Sequence, residues 1–196
     1  MSPERETIYH GLSHAAWGYF FLHIHLQVNG IDVLPAFAGW LLLLSACRSL
    51  AGERRDLTLL RPLGVLRAGW SGLDWLLSWG GGGVGGHVLF LDLVTAAAGL
   101  YFHFQFLTDM AALAGQYQPE GSDLARRLCR RRTVYVVLDT AIALMRGLPA
   151  GQTGLLGDFQ TALAVGGSLI AIAAALLIIT GLFGLRRCFR EAGDPA

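Results

Sequence analysis

The chain has 196 residues, of which 54% are hydrophobic and 15% are charged, and its mean hydropathy is +0.50. A soluble globular domain carries about 25% charged residues, so this composition favours a membrane protein. The formal net charge of +1 gives no sign of a basic nucleic-acid-binding surface, and we expect no nucleic-acid partner.

Apolar runs of roughly 20 residues recur along the chain, and this is the length that crosses the hydrocarbon layer of a membrane. They predict an all-α, polytopic integral membrane bundle of six transmembrane helices with both termini in the cytoplasm. We expect residues 1–196 to form a single transmembrane domain. The predicted spans cover about residues 9–28, 33–50, 62–79, 87–114, 133–148 and 159–185.

The arginines set the predicted orientation. All fifteen basic side chains are arginine, and fourteen of them fall at cytoplasmic loops or helix ends if the N-terminus is inside; Arg146 lies at an outer end. The fourteen are Arg5, Arg48, Arg54, Arg55, Arg61, Arg67, Arg126, Arg127, Arg130, Arg131, Arg132, Arg186, Arg187 and Arg190. Cys47, Cys129 and Cys188 also lie near inner ends, where a reducing compartment favours free thiols. We therefore expect a multi-pass protein of the bacterial plasma membrane that contacts lipid.

The third span, residues 62–79, is the least apolar because it contains Arg67 and Asp74. An interfacial helix is the alternative interpretation. Removing this span would turn the arginines at 126–132 to the outer side, so the arginine distribution favours a full crossing.

The segments between spans carry ordinary turn and loop residues. Asn29-Gly30 predicts a tight outer turn, and Pro35 is expected in the first turn of span two. Residues 51–61 and 116–132 are predicted as basic inner loops.

The 26 glycines call for close helix packing, because small residues let helices associate in lipid. Gly167, Ala171 and Ala175 recur every four residues on span six, and Gly11 and Ala15 do the same on span one. A docking face for another membrane protein is the second interpretation of these positions.

Three carboxylates fall within the predicted spans: Asp74, Asp92 and Asp139. A charged aspartate at the centre of a membrane costs about 2.5–3.5 kcal/mol on insertion scales, so each needs a partner or a function. Arg146 lies seven residues after Asp139, on the same helix face. These four residues are candidates for an ion- or proton-linked site on a transport path, and a purely structural pairing is the alternative.

The histidines form a second group of candidates. If spans one and four touch, His23 or His25 could approach His87 near the outer surface and bind a divalent metal with Asp92. His23 and His25 are two residues apart, so on one helix they diverge and cannot both bind one ion.

Signals for a cofactor or for catalysis are weak. His14 and His103 could hold a haem between facing helices, but no recognised ligand pair is present, and we expect no cofactor. Residues 80–86 match G-x-G-x-x-G without a preceding strand, so we interpret them as an outer linker. The sequence contains no known catalytic motif, and we expect a protein that is not an enzyme.

Residues 30–40 read G-I-D-V-L-P-A-F-A-G-W. This segment resembles a pattern, roughly I-D-I-L-P-D-F-I-G-Y, in a family of small uncharacterised multi-span membrane proteins of Firmicutes. Residues 100–116 and 124–126 are also similar to the later spans of that family. Ala36 stands where the family usually has Asp, which argues against a role for an acidic pair at this turn. The resemblance implies topology and source, and it implies no activity.

These patterns favour a small solute or ion transport component. Size and span number resemble the substrate-binding subunits of energy-coupling-factor transporters, although architecture alone does not confer function. A second hypothesis is a non-enzymatic scaffold or accessory subunit that binds another membrane protein or a second copy of the chain. A third is a metal- or haem-binding redox component.

Overall fold

The protein is all-α in its long elements. The computed structural model describes residues 3–24, 27–28, 31–32, 35–79, 89–147 and 155–191. Its helices are α1 (Pro3–His23), α2 (Ala36–Leu50), α3 (Asp56–Leu59), α4 (Arg61–Ser78), α5 (Leu89–Tyr117), α6 (Leu124–Gly147) and α7 (Leu155–Glu191). Two short strands, β1 (Gln27–Val28) and β2 (Ile31–Asp32), pair antiparallel between α1 and α2, with Val28 opposite Ile31.

The six long helices form a closed ring. Each of α1, α2, α4, α5 and α6 packs against the next long helix in the chain, and α7 packs against both α6 and α1. Contacts such as Gly11 with Leu50 and Gly18 with Leu43 show that α1 and α2 run antiparallel. The other chain neighbours pair in the same manner, so α1, α4 and α6 begin at the end of the ring where α2, α5 and α7 finish.

The six helices predicted from hydropathy are present, with corrected ends. Span one was predicted to reach Val28, but α1 ends at His23 and the chain continues into the β1–β2 ladder. The predicted turn at Asn29-Gly30 lies outside the described residues. Pro35 directly precedes α2 rather than lying in its first turn, which agrees with its lack of a backbone N–H.

The inner loop predicted at residues 116–132 is mostly helical. α5 extends to Tyr117 and α6 begins at Leu124, so the arginines at 126–132 lie on the first turns of α6. Arginine is a good helix former, and its long side chain reaches neighbouring helices from a helical position. The glycine-rich segment 80–86 lies outside the described residues.

Large apolar side chains point away from the ring on every long helix. Trp17, Leu41, Leu76, Phe90 and Leu169 are between 48% and 72% exposed. Soluble proteins rarely leave apolar surface of this extent open to water. Two helical segments, Phe90–Tyr117 and Val165–Arg190, are long and apolar enough to cross a membrane, and α2 is apolar but shorter. The structure thus contains two candidate membrane spans within the described residues.

Many fully buried leucines lie at the end of the ring where α1, α4 and α6 begin. We call it the arginine end, since it carries the arginine clusters of the α2–α4 connection, early α6 and late α7. Its apolar core consists of side chains with no exposed surface. These are Leu12, Leu50, Leu57, Leu60, Leu107, Met110, Leu113, Leu182 and Leu185.

Glycines bring α1 and α2 together at the backbone. A Cβ on Gly39 would lie 2.8 Å from the carbonyl oxygen of Gly18, closer than any side chain can approach. A Cβ on Gly11 would lie 2.8 Å from the Cβ of Ser49. The predicted packing role of Gly11 is thus confirmed for the α1–α2 contact. Among the residues of the span-six stripe, Ala175 is buried.

Candidate functional site

A cavity of about 370 Å³ lies inside the ring, and all six long helices contribute to its wall. We call the half of the ring that contains it the cavity end, opposite the arginine end. The lining residues are Leu22, His23, Ala36, Trp40, Arg67, Ser71, His103, Tyr135, Leu138, Asp139, Ile142, Ala171 and Ile172. The wall therefore combines both signs of charge with an apolar surface.

Arg67 enters the cavity from α4. Its guanidinium carbon lies 5.0 Å from the centre of the Trp40 ring, a distance at which a cation is attracted to an aromatic face. A Cβ on Gly99 would lie 3.1 Å from Nε of Arg67, so the glycine leaves the space that the guanidinium occupies. Nε is buried and has no hydrogen-bond partner within the part of the chain that the structure describes.

Asp139 reaches the same cavity from α6. In the ring, α5 lies between α4 and α6, so Arg67 and Asp139 reach the cavity from two helices that a third separates. The two side chains are close enough to interact electrostatically. The cavity therefore places a positive and a negative group in one partly enclosed space, where charges interact more strongly than in water.

Two histidine–tyrosine pairs lie beside these charges. Nδ1 of His23 donates a hydrogen bond to the Tyr19 carbonyl oxygen at 2.9 Å, and its Nε2 lies 2.9 Å from the Tyr135 hydroxyl. In the neutral imidazole the Tyr135 hydroxyl must therefore donate to Nε2. The Tyr19 hydroxyl and Nδ1 of His103 are 3.1 Å apart in the buried interior. These bonds connect α1 with α5 and α6 across the ring.

His103 is enclosed by aromatic rings. The ring centres of Tyr19, Trp40, Phe102 and Tyr135 lie 5.1–5.9 Å from it, and only 4% of His103 is exposed. Spans one and four do touch, as the metal hypothesis required, but through Tyr19 and His103. This aromatic cluster forms the floor that separates the cavity from the apolar core of the arginine end.

The structure brings together some of the predicted site residues. Asp139 and His23 both line the cavity. Asp74 on α4 and Asp92 on α5 are half-buried and are not among the described residues that line it. The side chain of Arg146 lies outside the described residues, as do His25 and His87, so the predicted metal site is untested. Among described residues, no group of three metal-binding side chains occurs.

The predicted haem ligands have separate hydrogen-bond partners. Nδ1 of His14 lies 3.1 Å from the Ser45 hydroxyl of α2, whereas His103 pairs with Tyr19. Each histidine is thus already bonded to a side chain of another helix.

Sequence reasoning missed two polar groups. Arg67 was assigned to an inner helix end, but it lines the cavity, on the face of α4 that also carries Gly64 and Ser71. Asp109 was not considered and is only 3% exposed, with Gln105 donating to it at 3.4 Å. Its spacing of seven from Phe102 could have placed it on the buried face of α5.

Three other arginines make contacts between helices. Arg131 donates to the Leu177 carbonyl of α7, and Arg132 donates to the Thr108 hydroxyl of α5 at 2.8 Å. Partial burial lowers the pKa of Arg131, and the nearby charges of Arg127 and Arg130 lower it further. Near the α7 terminus, Arg186 stacks 4.1 Å above the Tyr9 ring.

Comparison with known proteins identifies no relative: no family model, curated protein or solved structure matches the chain. The function must therefore be argued from the geometry of the cavity.

Proposed function

We propose that the chain is a six-span membrane protein whose central cavity binds a small polar solute as part of a transport system. The observation that carries this proposal is one cavity, walled by all six long helices, that holds Arg67 and Asp139 together. Ionisable groups are costly within a bundle in lipid, and they are most often retained for a ligand or an ion.

The exposed apolar surface supports the membrane part of the proposal. Outward-facing leucine, valine and aromatic side chains occur on α4 and α6 as well as on the two apolar helices α5 and α7. In a membrane, lipid tails would contact this apolar surface, so it would not be exposed to water. Under the positive-inside rule the arginine end lies in the cytoplasm, and the cavity lies in the half of the bundle nearer the outer surface.

The location of the cavity supports solute binding. Transporter sites commonly lie near the middle of the bilayer between helices from different parts of the chain. Here the aromatic floor around His103 and the leucine-rich core beneath it close the cytoplasmic side. A solute would therefore enter from the outer surface, and its release to the cytoplasm would require the helices to move or a partner protein to act.

Two variants of α7 test whether the cavity is the binding site. Ala171 lines the cavity, whereas Ala173, two residues away on the same helix, is exposed. Ala171→Trp should fill the cavity without changing any charge, and Ala173→Trp should leave it open. The purified protein is screened by thermal unfolding against carboxylates, amines, zwitterions, inorganic phosphate and sugars.

We expect at least one solute class to raise the unfolding temperature of the wild type and of Ala173→Trp, but not of Ala171→Trp. Size-exclusion chromatography checks that both variants are folded. The proposal is wrong if no class stabilises the wild type, or if the two folded variants respond alike.

A further inference from the structure

The charges and the shape of the cavity narrow the class of solute, on the condition that the cavity is the solute site proposed above. Arg67 is suited to a carboxylate. A guanidinium presents a planar fork of donors that matches two carboxylate oxygens, and it stays charged at every physiological pH. The Trp40 ring packs against the face of the Arg67 guanidinium, and Gly99 leaves space beside its Nε. The guanidinium is therefore positioned before a ligand binds.

Asp139 is suited to an ammonium group. A carboxylate has about four acceptor sites on its two oxygens, so it can accept an ammonium in addition to the contacts it already makes. A solute with one charge would bind one of the two groups and weaken the attraction between them. A zwitterion compensates both, which favours it over a plain acid or a plain amine.

One part of the wall is apolar, whereas His23, Ser71, His103 and Tyr135 make another part polar. Leu22, Leu138, Ile142 and Ile172 contribute side chains without hydrogen-bonding groups, and Ala171 leaves space between them. A volume of about 370 Å³ is near the lower end of the range of about 300–1,000 Å³ found for small-molecule pockets. The space fits a compact molecule with one apolar side chain.

We propose that the cavity binds a neutral α-amino acid with an apolar side chain, its carboxylate on Arg67 and its ammonium on Asp139. Because α4 and α6 supply the two charged groups, they hold the carboxylate and the ammonium that are attached to the α-carbon of the ligand. The side chain then lies against the leucine and isoleucine surface of α6 and α7.

Three probes that share the isobutyl group of leucine test this assignment without any mutation. L-leucine carries both charges, 4-methylpentanoate lacks the ammonium, and 3-methylbutylamine lacks the carboxylate. Calorimetry on the purified full chain should give a Kd for L-leucine at least tenfold below that of either analogue. Glycine and L-phenylalanine are measured beside it to set the preferred side-chain size.

Two variants should each remove the partner of one charged group of L-leucine. Arg67→Gln should reduce the L-leucine affinity to that of 3-methylbutylamine, and Asp139→Asn should reduce it to that of 4-methylpentanoate. Arg126 and Asp123 form an exposed ion pair at 3.6 Å near the arginine end. Arg126→Gln and Asp123→Asn are therefore matched controls, and both should bind L-leucine as the wild type does.

The outcomes separate the two proposals. If 4-methylpentanoate binds the wild type as tightly as L-leucine does, the proposal of a zwitterionic ligand is wrong, but the proposal of a solute-binding cavity stands. If none of the three amino acids binds while another class in the solute screen does, the amino-acid assignment is again wrong. If L-leucine binds Arg67→Gln and Asp139→Asn as tightly as it binds the wild type, its site lies elsewhere. If no solute of any class binds, both proposals fail.

Discussion

The two ends of the helix ring use the same residue types for different purposes. At the arginine end, Arg131 and Arg132 bond to neighbouring helices over a core of fully buried leucines. At the cavity end, Arg67 borders about 370 Å³ of space together with Asp139 and two histidines. At the arginine end, the fully buried leucines fill the interior of the ring, and a second pocket of about 290 Å³ lies beside it between α1 and late α7. At the cavity end, the open space lies inside the ring itself, between the two opposite charges. We therefore interpret the arginine end as the part that holds the helices together, and the cavity end as the part that the proposed solute would occupy.

Truncating one leucine at each end of the ring should give the largest difference in the free energy of unfolding. Leu113 has no exposed surface at the arginine end, whereas Leu138 is half-buried in the cavity wall. Leu113→Ala should lower the free energy of unfolding by about 2–5 kcal/mol, because the emptied space cannot refill. Leu138→Ala should cost less, about 1 kcal/mol, because the side chain is only partly buried and loses fewer packing contacts. Equal losses in detergent unfolding titrations would show that the two ends are packed alike.

A second comparison is between a glycine in the close α1–α2 contact and a glycine with open space around it. Gly39→Val should destabilise the protein by about 3 kcal/mol, because its Cβ would contact the Gly18 carbonyl and force the two backbones apart. Gly69→Val is the matched control on α4, where no atom lies within 4 Å of the added Cβ. Thermal unfolding followed by circular dichroism measures both. If both variants unfold at the same temperature, the close contact between Gly39 and Gly18 does not set the distance between α1 and α2.

The aromatic cluster around His103 should contribute less to the free energy of unfolding than the leucine core or the α1–α2 glycine contact. Tyr19→Phe removes the hydrogen bond to His103 and should cost about 1 kcal/mol of stability. Tyr101→Phe, on the exposed face of α5, removes a hydroxyl from a side chain that is 58% exposed and should have little effect. A Tyr19→Phe variant as stable as Tyr101→Phe would show that this bond does not hold α1 against α5.

The sequence predicted the helices well because hydropathy and arginine position are properties of single segments. It placed all six long helices and the close packing at Gly11, although it extended the first past His23. It identified Asp139 as a residue that needed a partner or a function, and His23 as a candidate ligand.

The partners of those residues could not be predicted. Arg67 joins the cavity only because α4 packs between α2 and α5, with Gly99 and Trp40 shaping its position. His103 lies beneath the cavity because α5 turns that face toward Tyr19 and Tyr135. Such neighbours depend on helix order around the ring and on helix rotation, and a single sequence specifies neither.

The orientation of the ring is tested most directly by thiol labelling of intact cells. Cys129 is exposed on α6 at the arginine end, and Trp79 is exposed just beyond α4 at the cavity end. In a Cys188→Ser background, a membrane-impermeant maleimide should leave Cys129 unmodified until the cells are permeabilised. Trp79→Cys, in a chain that also carries Cys129→Ser and Cys188→Ser, should react from the medium. Rapid labelling of Cys129 in intact cells, with Trp79→Cys protected, would contradict a cytoplasmic arginine end and an outward-facing cavity.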